Sequence, residues 1–219
     1  MNVEWVDNKR YAWPLGALLM LLPMASGTIA MTYGLPFFWW FTPFIIFVVI
    51  PVLDWLNGED TSNPPEEAVP ALTKDPVYRW MVMAAVPTLY LSFFWCVRVL
   101  AHGGLAWHET LGLVASLGVI SGISVNTAHE LGHKAPKLER LLAKIALAPS
   151  MYGNFFVEHV RGHHVRVATP EDPASSRFGE HLWEFIPRSM AGAHVSAWEL
   201  EKKRLASQKF AVPGDDGTL

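Results

Sequence analysis

Leu111-Gly-Leu-Val-Ala-Ser-Leu-Gly-Val-Ile-Ser-Gly-Ile-Ser-Val-Asn-Thr-Ala-His129-Glu-Leu-Gly-His133 carries no acidic side chain, lysine or arginine before Glu130. About 20 apolar residues cross roughly 30 Å of hydrocarbon as a helix, so Leu111–Ala128 predicts a transmembrane span. The same helix then delivers His129 and His133 at i and i+4, on one side. A second block follows in Glu158-His159-Val-Arg-Gly-His163-His164, where His159 and His163 repeat that spacing. On an α-helix His164 is expected about 140° round from His159. Imidazole is the commonest protein metal ligand, and five histidines exceed the donors that one tetrahedral ion takes. The expectation is a multinuclear metal centre at the end of a membrane bundle.

Three further apolar runs precede this one: Tyr11–Met31, Pro36–Leu53 and Trp80–Val97. The first is a poor secretory signal, because Glu4 and Asp7 precede Lys9 and Arg10 and the run exceeds a usual signal core. It is expected to remain as a first helix. The fold class predicted is an all-α membrane protein with four transmembrane helices, followed by a helical histidine-box region. Residues 1–128 form the membrane part with a cytoplasmic loop at 54–77, and residues 129–219 form the cytoplasmic-side part. The loop, with Asn57-Gly-Glu-Asp-Thr-Ser-Asn-Pro-Pro-Glu-Glu67, is too polar and proline-broken for a continuous helix. Short outer loops predict that helices one and two, and three and four, pack as antiparallel pairs.

Lys9, Arg10, Lys134, Lys137, Arg140 and Lys144 lie at one set of helix ends. Met31–Leu35 and Ala101–Thr110 have neither Lys nor Arg, with Arg98 the exception nearby. Positive charge marks the cytoplasmic side. The reading is a multi-pass protein of a bacterial-type inner (cytoplasmic) membrane, its N-terminus and both histidine blocks cytoplasmic. Trp13, Trp55 and Trp80 are expected at the inner interface, and Trp39, Trp40, Trp95 and Trp107 at the outer one. Ile145–Val157 is too short to span and is expected to be re-entrant or protein-buried. Thr169–Pro173 should break the helix. Leu182–Arg204 reads as a surface amphipathic segment, and Val212–Leu219 has no structural signal.

Composition excludes some classes. The net charge of −3 gives no reason to expect nucleic-acid binding. The single Cys96 removes both an intrachain disulfide and a thiolate site.

His129-Glu130-Leu-Gly-His133 fits HExxH, and a membrane-embedded zinc protease with Glu130 as general base is the rival reading. It needs a third ligand from a later membrane helix, and no such helix follows. Glu130, Glu158, Glu171 and Asp172 are candidates to orient the ligands through their other ring nitrogens. Glu171 and Asp172 serve equally well as helix-terminating loop residues. His102 and His108 lie on the expected outer side, away from the blocks, and His181 and His194 are isolated; all four are expected to do surface or hydrogen-bonding duty. Nitrogen donors suit Zn, Fe, Cu or Ni, and the donor number leans to iron.

At these residues the chain resembles the alkane 1-monooxygenase family, integral-membrane non-haem di-iron hydroxylases related to fatty-acid desaturases. The resemblance rests on Asn126-Thr-Ala-His-Glu-Leu-Gly-His-Lys134, on Glu158–His164, and on Val167-Ala-Thr-Pro-Glu-Asp-Pro-Ala-Ser-Ser-Arg-Phe-Gly-Glu180. Leu53-Asp54, Gly58-Glu-Asp60, Asn63–Glu67 and Trp198–Leu205 are similar as well, so it runs from about Asp54 to Leu205. It implies His129, His133, His159, His163 and His164 as iron ligands and two non-haem irons. It further implies O2-dependent terminal hydroxylation of n-alkanes, rubredoxin as electron donor, and membrane lipid as the surroundings. Phe41, Phe44 and Phe47 are candidates to limit substrate length, with core packing or lipid contact as their ordinary duty. The family has six membrane helices, a third HxxHH box and a further histidine motif, both motifs downstream of the second box and neither present here. The expectation is an N-terminal portion of such an enzyme with little or no activity alone. A non-catalytic membrane remnant is the alternative outside enzymes.

Overall fold

The computed structural model describes residues 5–208, so Val212–Leu219 and Glu4 lie outside the described residues. All regular structure among the described residues is helical.

Helices α1 (Pro14–Leu19) and α2 (Leu22–Tyr33) replace the single first helix expected, and they meet at a bend of 59°. Pro23 explains the break. It lacks an N–H, and its ring opposes the carbonyl four residues earlier, which belongs to Leu19, the last residue of α1. Gly34 closes α2 with φ +64, a left-handed conformation that glycine adopts without a Cβ penalty. The second run continues from Pro36 to Asn57. Within it, a 3-10 turn (Pro36–Trp40) leads into α3 (Phe41–Phe44), a π turn (Ile45–Val49) and α4 (Ile50–Asn57).

A short α5 (Val69–Lys74) interrupts the polar loop, and α6 (Pro76–His102) starts before the expected Trp80. Its start is set by the Asp75 carboxylate, which accepts from the Val77 N–H at 2.9 Å, and by Pro76 at the first helical position. Pro87 lies inside α6 without ending it, as neighbouring helices allow in membrane segments. Gly103 and Gly104, at φ +70 and +89, turn the chain into α7 (Trp107–Gly132). Helix α7 does carry His129 past the apolar run and stops at Gly132, short of Pro136. Pro136 instead precedes α8 (Lys137–Leu147). Three spans are thus long and apolar enough to cross a membrane, and a fourth if the bent α1–α2 pair is one.

Helix α8 is buried in protein through Ala143, Ala146 and Leu147, which join Met83 and Val86 of α6 and Ala128 and Leu131 of α7 in one core. The last carbonyls of a helix have no partner within it. Here Tyr90 donates its hydroxyl to the Ile145 carbonyl at 2.9 Å, and Ser124 donates to that of Ala146 at 2.9 Å. These two bonds close α8 against the membrane helices.

The four tryptophans expected at the outer interface differ in their surroundings. Trp39 is buried, and Trp40 and Trp95 pack against the same core as Cys96 and Leu113. A Cβ on Gly27 would lie 2.5 Å from the Trp95 ring, and one on Gly112 would lie 2.7 Å from Trp40 Nε1. The indoles fill slots that only hydrogen leaves open. Trp13, Trp55, Trp80 and Trp107 are exposed.

After α8 the chain forms α9 (Asn154–Glu158), a π turn (His159–His163) and α10 (His164–Arg166) as one bent rod. The loop 167–181 follows, then α11 (Leu182–Ser207), which packs on α9 and on the π turn. Helix α11 is therefore docked along one side and exposed along the other. Ala193 and Ala197 are buried there, while Trp183, Met190 and Trp198 remain exposed.

Candidate metal centre

Three elements converge on the histidines: the end of α7, the π turn, and α10. His129, His133 and His159 place one ring nitrogen each within 4.8 Å of one another. His159 Nε2 lies 3.1 Å from His133 Nε2 and 3.1 Å from His164 Nε2. The Phe155 ring stacks on His159 at 4.9 Å and closes one side.

The π turn corrects the expected placement of the second block. The His164 N–H bonds to the His159 carbonyl, an i→i+5 bond that widens the turn by one residue. That brings His164 back over His159, with ring centroids 4.6 Å apart, instead of far round the helix. His163 turns to Asp172, whose Oδ2 lies 2.8 Å from His163 Nδ1. No hydrophobic pattern marks a π turn, and Gly162 was its only signal. A Cβ on Gly162 would lie 2.3 Å from Glu158 Oε2.

The four carboxylates separate clearly. Asp172 is fully buried and accepts from Ser175 Oγ at 2.5 Å and from the Ala174 N–H at 3.0 Å as well. Burial works to raise its carboxyl, but these donors and His163 outweigh it and hold Asp172 below the usual range. Glu158 is buried and accepts from Arg166 Nη2 at 2.9 Å, and Arg166 also donates to Ser196 of α11. Glu130 is exposed and pairs with Lys134 at 3.1 Å, facing a separate cavity. Glu171 is exposed on the far side of the loop, lining a cavity with Arg177 and Arg188. Neither Glu130 nor Glu171 meets a histidine through a hydrogen bond or ion pair among the described residues. Of the four, Asp172 alone does so.

Sequence reading missed the supports. Glu180 accepts from Arg188, which also donates to the Pro173 and Ser175 carbonyls, fixing the loop that holds Asp172. Glu139 of α8 accepts from Arg79 of α6. These pairs join residues far apart in sequence, so no local pattern announces them. His102, His108, His181 and His194 are all exposed and away from the cluster, as expected.

The donor set fits a cation. His159 Nε2 has either one proton or one lone pair, so it cannot satisfy both neighbouring nitrogens by hydrogen bonding. Two imidazoles on one ion at about 2.1 Å, about 95° apart, have nitrogens about 3.1 Å apart, close to the His133–His159 and His159–His164 separations of 3.1 Å. Burial first, and neighbouring imidazolium charge second, push His159 down to about 4 and His133 below its ordinary value. Both are therefore neutral near pH 7, the form that binds metal.

A family model described as fatty acid desaturase matches residues 105–215, a stretch that contains both histidine blocks. The alkane 1-monooxygenase of Ectopseudomonas oleovorans is 41% identical over 216 residues, covering 99% of this chain and 54% of that protein. That of Pseudomonas putida gives the same identity and coverage, 41% over 216 residues. Alkane 1-monooxygenase 1 of Alcanivorax borkumensis is 38% identical over 205 residues, or 94% of this chain and 51% of that protein. The chain spans about half the length of these curated relatives.

Proposed function

The chain belongs to the fatty acid desaturase family, and from that membership we propose that it carries part of the iron centre of a membrane alkane 1-monooxygenase. The reaction inserts one atom of O2 into the terminal C–H bond of an n-alkane. The other atom leaves as water, taking two electrons and two protons. The observation that carries this reading is the packing of His129, His133, His159 and His164 at the end of apolar helices. The relatives named for this activity support it.

His129, His133, His159, His163 and His164 are proposed as iron ligands, forming part of a two-iron donor set. Bound iron would supply the reducing centre at which O2 is activated. This chain's own residues would hold and orient it. Asp172 fixes the His163 ring with the proton on Nδ1, leaving Nε2 free to ligate. Phe155 excludes water from one side of His159. The apolar spans provide a dry approach for a lipid-soluble substrate. The proposed setting is the inner membrane, with α1–α2 as a fourth span and the N-terminus and histidines cytoplasmic. Rubredoxin is the proposed electron donor at that face.

The test measures bound iron and zinc in the purified chain, and octane oxidation with rubredoxin and its reductase. Iron binding that is lost in His133→Ala and His159→Ala supports the reading. Stoichiometric zinc without iron, together with peptide cleavage abolished by Glu130→Gln, would overturn it in favour of a protease.

A further inference from the structure

Arg166 ties the second histidine block to α11. Its Nη2 donates to Glu158 Oε1 at 2.9 Å and to Ser196 Oγ at 2.5 Å, and its Nε reaches the Gly162 carbonyl at 3.4 Å. Glu158 is buried, and Arg166 is its one hydrogen-bond donor among the described residues. The Glu158 carboxylate fills the space that a Cβ on Gly162 would take. The π turn itself is tied to the same helix, because Arg161 Nη1 donates to Glu201 Oε1 at 2.9 Å. Arg161 with Glu201 and Arg166 with Ser196 pair in antiparallel order, so α11 lies along the turn as a splint.

Winding decides whether Glu158 and Arg166 can meet. Residues eight apart on an ordinary α-helix lie about 80° apart round the axis. The i→i+5 bond at His164 takes up one residue. That leaves Glu158 and Arg166 about 20° apart. The same step brings His159 and His164 from about 140° to about 40°. The ion pair and the histidine pair are thus made by one geometry, and what favours either favours the other. A buried carboxylate stripped of its cation is strongly unfavourable, so the pair opposes relaxation of the turn into an ordinary helix.

We propose that Glu158 and Arg166, anchored to α11 through Ser196, are positioning residues whose ion pair keeps the turn wide and so keeps His164 beside His159. Their use rests on the proposed metal centre, whereas the turn itself can be read without metal.

The test uses the full chain in detergent, first free of metal. Hydrogen exchange at the His164 amide, whose N–H makes the i→i+5 bond, reads the turn. Co(II) affinity by chelator competition, with the visible absorption of the bound ion, reads the histidines. Glu158→Gln combined with Arg166→Met removes the pair without stranding a charge. It should speed that exchange about tenfold and weaken Co(II) binding about tenfold, with an altered spectrum. Ser196→Ala removes only the anchor and should shift both readouts the same way, by about threefold. Should the double variant fail to fold, Ser196→Ala still decides. Leu147→Ala weakens the core away from the turn and should leave the Co(II) spectrum unchanged. Unchanged exchange at His164 overturns the proposal, whatever the metal does. Faster exchange with Co(II) affinity and spectrum intact overturns the positioning role, as does an equal spectral change in Leu147→Ala. Failure of the unmodified chain to bind Co(II) would count against the metal centre instead, and the exchange alone would then decide what holds the turn.

Discussion

Replacing Asp172 by Asn separates the holding of a ligand from the stability of the fold. Asp172 Oδ1 accepts the Ala174 N–H at 3.0 Å, and Oδ2 accepts His163 Nδ1 at 2.8 Å and Ser175 Oγ at 2.5 Å. An amide has one oxygen and one NH2, so one of these sides must meet a donor. The Ala174 N–H has no alternative protonation, whereas an imidazole can exchange its tautomer and a hydroxyl can rotate. The amide oxygen should therefore stay on Ala174, and the NH2 should face His163. His163 then accepts at Nδ1 and carries its proton on Nε2, the nitrogen proposed to hold metal. Loss of such an orienting partner typically weakens metal binding by about 10–100-fold, equivalent to about 1.4–2.8 kcal/mol. Fe(II) affinity of the purified protein, measured by chelator competition, should fall within that range, while thermal stability changes little. An unchanged affinity, or a stability loss with affinity intact, would refute the assignment of Asp172 as the residue that positions His163.

Gly162→Ala should destabilise the second histidine block by about 1–3 kcal/mol, because the new Cβ would lie 2.3 Å from Glu158 Oε2. Gly153→Ala, where nothing lies within 4 Å, is its neutral control in the same unfolding assay. Leu147→Ala empties a fully buried position between α6, α7 and α8, and should lower stability in mixed micelles by about 2–5 kcal/mol. Arg188 first, and then the Arg177 N–H, hold Glu180 down to about 2. Its stabilising share is complete above the unfolded-state value of about 4.3 and is lost as pH falls towards 2. Glu180→Gln should remove that part of the acid-unfolding profile, and an unaltered profile would contradict the pairing.

The spans were legible because apolar length is a one-dimensional signal, and α7 carries His129 beyond its apolar run much as read. The break before Pro23 was legible in principle, since a proline acts on the residue four positions back, but hydropathy alone ran straight across it. The second block shows the opposite case. Its histidines were visible, yet their directions were not, because the i→i+5 bond at His164 obeys no hydrophobic period. Glu171 and Asp172 looked alike as neighbours in a loop. Only the fold of residues 167–181, tied down by Arg188, turns Asp172 inward and leaves Glu171 in solvent. The packing of the tryptophans was illegible for a related reason: Gly27 and Gly112 make room for indoles inside the bundle, and that room depends on pairs distant in sequence.

The wide turn at His159–His163 makes the second block a length gauge. Winding the same residues as an ordinary helix would swing everything beyond them by about 100°. His164 and the Arg166 link to Ser196 would then point away together. The turn thus holds one residue more between His159 and His164 than an ordinary helix places in the same space. A related chain with one residue fewer here should wind the stretch as an ordinary helix and still set the two rings together.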